Sequence, residues 1–306
     1  MSVTSKKTFI GRALLGALAV VIGLAGLPAA AVHATGPDTV ISGFSTPESV
    51  LYDKQADMYL VSNINGAPLD KDDNGFISRV SPDGTITNLK WIDGASASVT
   101  LNAPKGMTIV GNRLYVADID TVRVFDRVTG QPITSIAVPG ATFLNDLASD
   151  NLGIFSTVYA SDSGLDANFQ PTGTDAVYKI QFNQLSPMVA DPGLHSPNGV
   201  ANAPLAVYMA TFSSNIVYRI NKFTNHIEEF THLPTGSLDG LVRLPGGTMY
   251  VSSWEGSNVY KVDAGGTITT EVSGTPAPAD IGYDSNRSRL MIPLFMDSKV
   301  QIHTLN

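Results

Sequence analysis

The 306-residue sequence contains no cysteine, which excludes disulfide bonds, thiol catalysis and cysteine-built zinc sites. It also lacks a run of basic residues: lysine and arginine total 19 against 27 acidic residues, and the formal net charge is −8. An acidic chain without a basic patch is poorly suited to nucleic acid or to anionic lipid. We therefore expect no nucleic-acid partner.

Several catalytic signatures are missing as well. The sequence holds no G-x-S-x-G elbow, no H-E-x-x-H helix, no phosphate-binding loop and no glycine-rich dinucleotide fingerprint. Their absence argues against serine hydrolases of the elbow type, zinc proteases and nucleotide-dependent enzymes. Function must therefore be argued from the placement of other residues.

The opening of the chain has the character of a targeting segment. Lys6, Lys7 and Arg12 precede an apolar run at 13–22, and a small-residue cleavage pattern follows at 32–34. Together these features indicate a signal peptide. A retained membrane anchor is the alternative, but the apolar core is short and is followed by a helix-breaking Gly-Leu-Pro.

We therefore predict a cleaved signal peptide at 1–34 and one domain at 35–306. Cleavage removes three cations and no acid, so the domain keeps 16 basic and 27 acidic residues, a formal charge of −11. The expected location is periplasmic or secreted, with no membrane attachment after cleavage. A monomer is the favoured oligomeric state.

The domain consists of short strands and turns. Runs of β-branched and aromatic residues alternate with clusters of glycine, proline, asparagine and aspartate, which is typical of all-β proteins. These runs recur in a unit of about 40 residues, most clearly at 237–274. Six such four-stranded units predict an all-β, six-bladed β-propeller. The last unit is one strand short, and residues 38–44 can supply that N-terminal strand and close the ring.

Each unit places one polar residue at the start of its first strand. We name these the mouth residues: Glu48 in TPESV, Lys105 in NAPKGM, Asn145 in FLNDLA, Asn198 in SPNGV, Asp239 in SLDGL and, more weakly, Asp280. The intervals between them are 57, 40, 53, 41 and 41 residues, and the two long intervals contain insertions at 66–75 and 163–174. The first strand of each propeller blade lines the central channel. The mouth residues are therefore expected to converge on one face.

Four of the mouth residues are oxygen donors, and their convergence favours a metal site. Two carboxylates (Glu48 and Asp239) and two amides (Asn145 and Asn198) in a dry funnel are costly unless a cation neutralises them. Oxygen ligands of this mixed charge suit Ca²⁺ ahead of Mg²⁺ or Mn²⁺. Turn chemistry is the alternative at any single motif, because SPNG and SLDG are also good turn sequences.

The motifs TPESV, LNDLA, SPNGVA and LDGL, in this order and at blade spacing, resemble the metal-site motifs of the regucalcin/gluconolactonase family. That family is related to paraoxonases and bacterial lactonases, and the resemblance spans nearly the whole domain. It implies a six-bladed propeller with an axial Ca²⁺, or another divalent cation such as Mg²⁺, Mn²⁺ or Zn²⁺. The implied ligands are Glu48, Asn145, Asn198 and Asp239, and Asp146 is the implied neighbour of a second, structural ion. The implied activity is hydrolysis of lactones or esters, in which the metal polarises the carbonyl and a base activates water.

Lys105 is the main departure from that resemblance. Paraoxonase-like members have a histidine in the matching motif, as part of the proposed base machinery. Three interpretations of the lysine stay open: a solvated residue at the rim, a pocket cation for an anionic substrate or oxyanion, or an ammonium that replaces the metal. A role as general base is disfavoured, because nearby carboxylates raise the pKa of an amine.

Histidines near the mouth motifs are the usual candidates for a base. His195 and His232 lie in loops before the fourth and fifth motifs, and each is either a general base or a surface residue. Asp239 could combine the roles of ligand and base. We predict Asp239, Lys105 and His195 as catalytic residues of an exported, metal-dependent lactonase or esterase that acts on a small-molecule substrate. A propeller that binds a ligand or a protein without catalysis is the rival hypothesis.

Overall fold

The alternating runs of the sequence form 24 strands within residues 38–305, the part of the chain that this computed structural model describes. The strands make six antiparallel sheets of four strands each, so the prediction of an all-β, six-bladed propeller is confirmed. The signal peptide predicted at 1–34 lies outside the described residues. Within 38–305, no helix is long and apolar enough to cross a membrane.

The strands of blades 1 to 5 run outward from the axis in chain order. Strand β1 (Thr39–Ser42) comes first in the chain but belongs to blade 6. Blade 1 holds β2 (Pro47–Asp53), β3 (Met58–Asn63), β4 (Phe76–Val80) and β5 (Ile86–Asp93). Blade 2 holds β6 (Pro104–Val110), β7 (Arg113–Asp118), β8 (Thr121–Asp126) and β9 (Pro132–Ala137). Blade 3 holds β10 (Leu144–Ser149), β11 (Val158–Asp162), β12 (Ala176–Gln181) and β13 (Gln184–Ala190).

The remaining blades repeat the pattern. Blade 4 holds β14 (Pro197–Asn202), β15 (Ala206–Thr211), β16 (Ile216–Asn221) and β17 (Ile227–His232). Blade 5 holds β18 (Leu238–Arg243), β19 (Met249–Ser253), β20 (Asn258–Val262) and β21 (Ile268–Ser273). Blade 6 holds β22 (Gly282–Asp284), β23 (Arg289–Leu294), β24 (Lys299–Thr304) and, as its outer strand, β1. Short 3₁₀ helices lie at Gly153–Phe155 and Phe295–Asp297.

Closure of the ring joins the two ends of the described chain. Strand β1 pairs antiparallel with β24, with Thr39 opposite Ile302 and Ser42 opposite Lys299. This is the role that the sequence predicted for residues 38–44. The pairing covers the outer edge that β24 would otherwise expose, so no blade is left with three strands.

Apolar side chains pack between neighbouring blades rather than in one central core. Side chains alternate along each strand, so both faces of a blade carry buried residues. Between blades 2 and 3, for example, Val124 belongs to the same cluster as Leu147. Between blades 6 and 1, Ile41 of the closing strand belongs to a cluster with Val61 and Met291. Each blade is therefore held by its two neighbours, and the inner strands are fixed around the axis.

The inner strands bulge where the mouth residues lie. Strands β2, β6, β10, β14 and β18 each shift register against the second strand of their blade at the mouth motif. A β-bulge changes the direction of the side chains at the bulge. In three blades, a serine of the second strand accepts the N–H of the residue after the mouth residue; these pairs are Ser62 with Ser49, Ser161 with Asp146, and Ser252 with Gly240.

Neighbouring inner strands approach so closely that most side chains do not fit between them. Glycine follows the mouth residue in blades 2, 4 and 5, and a Cβ at Gly240 would lie 2.3 Å from the backbone nitrogen of Ile281. In blade 3 the same position is Asp146, whose Oδ2 accepts the N–H of Val200 in blade 4 at 2.7 Å. These contacts bring the mouth residues of different blades together.

His303 links three strands at the closure. Its Nδ1 lies 2.9 Å from Asp38 Oδ1, beside the start of β1, and its Nε2 lies 3.7 Å from Glu271 Oε1 on β21 of blade 5. The carboxylate of Glu271, followed by that of Asp38, raises the pKa of His303 above its ordinary value, against the opposing effect of burial. The protonated imidazole therefore helps to hold the closing strand.

We predict that this contribution disappears as the pH rises. The raised pKa means that the ion pairs stabilise the fold fully below the ordinary pKa of histidine, and that the stabilisation is lost as the pH passes through the raised value. In wild type the free energy of unfolding should fall over this pH range, and in His303→Gln this decrease should be absent. Urea denaturation from about pH 5 to about pH 9 measures it. His226→Gln, at an exposed histidine of blade 4, is the control; equal pH profiles for wild type and His303→Gln would contradict the prediction.

Candidate functional site

Five mouth residues line one recess at the mouth of the channel: Glu48, Lys105, Asn145, Asn198 and Asp239. None of them is more than 5% exposed. The space between the lining residues is about 380 Å³ when the open solvent at the mouth is included. The sequence-predicted site residues of five different blades are thus neighbours in the fold.

Four oxygen atoms in this recess have no hydrogen-bond partner: Glu48 Oε2, Asn145 Oδ1, Asn198 Oδ1 and Asp239 Oδ1. The amide nitrogen of Asn145 donates to Ser163 Oγ at 3.1 Å, which leaves Oδ1 as the free atom of that side chain. Buried polar atoms in folded proteins nearly always have a partner, and an acceptor without one costs about 1–3 kcal/mol. Four free acceptors around one space therefore require donors or a cation.

Burial also makes the ionised form of the carboxyl groups in the recess costly. Burial raises the pKa of Glu48 well above its ordinary value, and Asp239 and Asp280 add to the rise while Lys105 opposes it. Burial likewise raises the pKa of Asp239, and Asp280 adds to the rise while the Trp254 indole opposes it. A divalent cation acts in the opposite direction, because it favours the ionised carboxylates.

The donor set fits a hard divalent cation. All four free atoms are carboxylate or amide oxygens, the ligand type of Ca²⁺ and Mg²⁺. Within 38–305, no three side chains of histidine, aspartate or glutamate are grouped as a metal site. Here the carboxylates number only two, and the amides of Asn145 and Asn198 provide the other oxygens.

Lys105 is buried among backbone carbonyls and an aromatic ring. It is 1% exposed, and its Nζ donates to Pro68 O at 2.9 Å and to Ala103 O at 3.0 Å. The same atom lies 4.8 Å from the centre of the Phe143 ring. Pro68 belongs to the insertion at 66–75, so this insertion reaches the inner strand of blade 2 and supplies one of the two carbonyl groups that bind the Lys105 ammonium.

This environment argues against two of the three interpretations of Lys105. The solvated rim residue is wrong, because the side chain is buried. The ammonium also bonds to none of the four free oxygens, so in this structure it does not take the place of a metal ion among them. Burial lowers the pKa of Lys105 to about 8, although Glu48 and Asp118 oppose the shift. The interpretation that fits is a pocket cation; its catalytic role stays a prediction.

Asp146 and Asp280 form a second buried acidic pair next to the recess. Both oxygens of Asp146 accept backbone N–H groups, from Leu147 at 2.6 Å and from Val200 at 2.7 Å. Asp280 accepts from Ser49 Oγ. Burial raises the pKa of Asp280 to about 7, against the hydrogen bond from Ser49 Oγ and the interaction with neighbouring Asp146. Asp146 thus connects blades 3 and 4 by itself, and the second ion implied at this residue stays a prediction.

The two candidate histidines lie away from the recess. His195 is exposed with a backbone φ of 60°, and His232 is exposed with its Nε2 3.0 Å from Glu229 Oε2. Neither residue lines the recess. The predicted role of His195 as a base therefore has no contact in this structure that supports it.

Sequence reasoning missed a row of aromatic residues that lines the recess together with the polar mouth residues. We name it the aromatic collar; its members are Phe143, Phe169, Phe212, Trp254 and Phe295, all of which line the recess. Phe212, Trp254 and Phe295 each follow the last residue of the second strand in blades 4, 5 and 6. Aligning the blades at this strand end would have revealed the pattern.

No protein-family model matches this sequence, and no curated protein matches it. Solved structures with the same fold include a gluconolactonase from Xanthomonas campestris, with a TM-score of 0.68 and 17% identity over 89% of this chain and 91% of that one. A streptogramin B lyase has a TM-score of 0.62 and 12% identity over 89% and 98% of the two chains.

A virginiamycin B lyase from Staphylococcus aureus, described as a catalytically inactive histidine-to-alanine variant with quinupristin, has a TM-score of 0.55 and 15% identity over 88% of this chain and 100% of that one. Gluconolactonases are thus among the structural neighbours, as the mouth motifs led us to expect. Identities this low show a shared six-bladed fold.

We predict that the metal-free protein becomes more stable as the pH rises above about 8, because the buried side chain of Lys105 then loses its charge. Its pKa is lower in the folded chain than in the unfolded chain, so the unfolded chain binds the extra proton over this interval. The gain in the free energy of unfolding is on the order of 3 kcal/mol for a shift of this size. Urea denaturation in EDTA should show the rise in wild type and not in Lys105→Met.

The matched control is Lys54→Met, at an exposed lysine of the turn between β2 and β3. It should keep the wild-type rise. A Lys105→Met protein whose stability rises with pH as steeply as that of wild type would contradict the burial-driven shift.

Proposed function

We propose that this chain is an exported, metal-dependent hydrolase that opens small lactones or cleaves small esters. One observation carries the proposal: four buried oxygens without partners face the same recess as a buried lysine. The presence of a gluconolactonase among proteins of the same fold supports it. Export follows from the predicted signal peptide at 1–34.

The residues of the recess divide the chemistry between them. Glu48, Asn145, Asn198 and Asp239 would hold the cation, with Ca²⁺ as the best match to their oxygens. A divalent cation bound there supplies polarisation of the substrate carbonyl. Asp239 is our candidate to accept the proton of the attacking water at a carboxylate oxygen, since no histidine lines the recess.

Lys105 has one N–H group left for the substrate. An ammonium carries three donors, and Pro68 O and Ala103 O accept two of them. The third is available to the oxygen on which negative charge develops when water adds to the carbonyl. Because Lys105 is fixed by two carbonyls before the substrate arrives, this stabilisation requires little rearrangement.

Lyase chemistry is the second candidate that the comparisons raise. The virginiamycin B lyase is described as inactive after loss of a histidine, whereas the recess of this chain is lined without histidine. This difference favours hydrolysis. A propeller that binds a ligand without catalysis is the remaining alternative. The experiment below separates hydrolysis from binding alone.

We predict that EDTA suppresses turnover of a lactone or aryl ester and that Ca²⁺ restores it. Asp239→Asn removes one ligand charge and the candidate proton acceptor, so it should weaken Ca²⁺ binding on the order of 100-fold and abolish turnover. Calorimetric titration with Ca²⁺ and assays on a panel of lactones and esters measure the two effects.

The control is Asp70→Asn, which makes the same charge change at an exposed aspartate of the insertion and should leave both quantities unchanged. Turnover that is insensitive to EDTA would show that the metal part of the proposal is wrong. A calcium-loaded protein that hydrolyses nothing in the panel would favour the non-catalytic binding propeller.

A further inference from the structure

The aromatic collar is a continuous wall built largely from one repeated position. Phe212, Trp254 and Phe295 follow the second strands of blades 4, 5 and 6, and the same position holds Ile64 in blade 1. In blade 3 this position is Ser163, which instead bonds to Asn145 and to the carbonyl of Pro197. The apolar residue lacking there comes from the insertion at 163–174.

That replacement is Phe169. Its ring centre lies 6.1 Å from that of Phe143 and 6.4 Å from that of Phe212. The wall continues from Phe212 to Trp254 at 5.5 Å and from Trp254 to Phe295 at 5.1 Å. These spacings are those of stacked or edge-to-face aromatic pairs. Phe169 is 46% exposed, so the wall reaches the opening of the recess.

Polar groups are confined to the floor. The collar and the other wall residues, Ile64, Pro68 and Leu165, carry one side-chain donor, Trp254 Nε1, whose indole already interacts with the Asp239 carboxylate. A polyhydroxylated substrate would lose its hydrogen bonds to water on entry and find almost none in return. A flat apolar group would instead replace water against five rings.

We propose that the collar selects lactones or esters that carry an aryl group, and that it excludes sugar lactones. The inference rests on the proposed hydrolase function and adds its substrate class. The floor would contact the carbonyl, and the rings would contact the aryl group.

Non-hydrolysable analogues test the collar without relying on turnover. The probes are a benzo-fused δ-lactam (3,4-dihydroquinolin-2-one) and gluconolactam, titrated by calorimetry into the calcium-supplemented full domain. We expect the aryl lactam to bind on the order of 100-fold more tightly. In a Trp91→Phe background Trp254 is the only tryptophan of the chain, and its fluorescence should change on binding.

Phe212→Ala should weaken binding of the aryl lactam about tenfold or more. Phe223→Ala, the same change at a 78% exposed residue outside the recess, should leave it unchanged. Matching assays compare dihydrocoumarin with glucono-δ-lactone, and the aryl lactone should have the higher kcat/KM.

Gluconolactam binding as tightly as the aryl lactam, binding of neither probe, or equal loss in the two alanine variants would each overturn the inference. Selective binding of the aryl lactam at Trp254 without turnover of any lactone would support the collar as an aryl-binding wall while contradicting the proposed hydrolase function. The two proposals therefore fail in distinguishable ways.

Discussion

The close approach of six inner strands around one axis is the constraint on which the rest of the structure depends. Strands can meet at this distance only where a glycine removes the side chain, as at Gly240, or where a polar residue such as Asp146 bonds directly to the next blade. The same approach forces the mouth residues together. Their desolvated oxygens are therefore a consequence of how the ring closes, and any chemistry in the recess begins from that cost.

Floor and wall of the recess come from two positions of one repeating unit. The floor uses the bulged start of the first strand in blades 1 to 5, and the wall uses the residue after the second strand in blades 1, 4, 5 and 6. Polarity therefore differs between the two positions: the floor residues are carboxylates, amides and an ammonium, and the wall residues are aromatic or aliphatic. Insertions modify this plan locally, with Pro68 bonding to Lys105 and Phe169 completing the wall.

The parts of the fold and site that could be predicted are those that repeat. One mouth residue per blade is enough to predict convergence, because periodicity alone places Glu48 and Asp239 at the same radius. The setting of Lys105 could not be predicted, since its carbonyl partner Pro68 belongs to an insertion without a counterpart in other blades. The direction of His195 depends on a left-handed backbone conformation that the sequence pattern does not specify. The collar was predictable in principle, but an aromatic residue at a strand end is usually taken for core.

The closing strand has a consequence for how the chain folds. Blades 1 to 5 are made of consecutive residues and can form from local contacts, whereas blade 6 needs both ends of the domain. The contact between Asp38 and His303 spans 265 positions, a separation at which loop-closure entropy is high and pairing is slow. Closure is therefore expected to be the late step of folding. Until it occurs, β24 has an unpaired edge, and the protein is most exposed to aggregation in that interval.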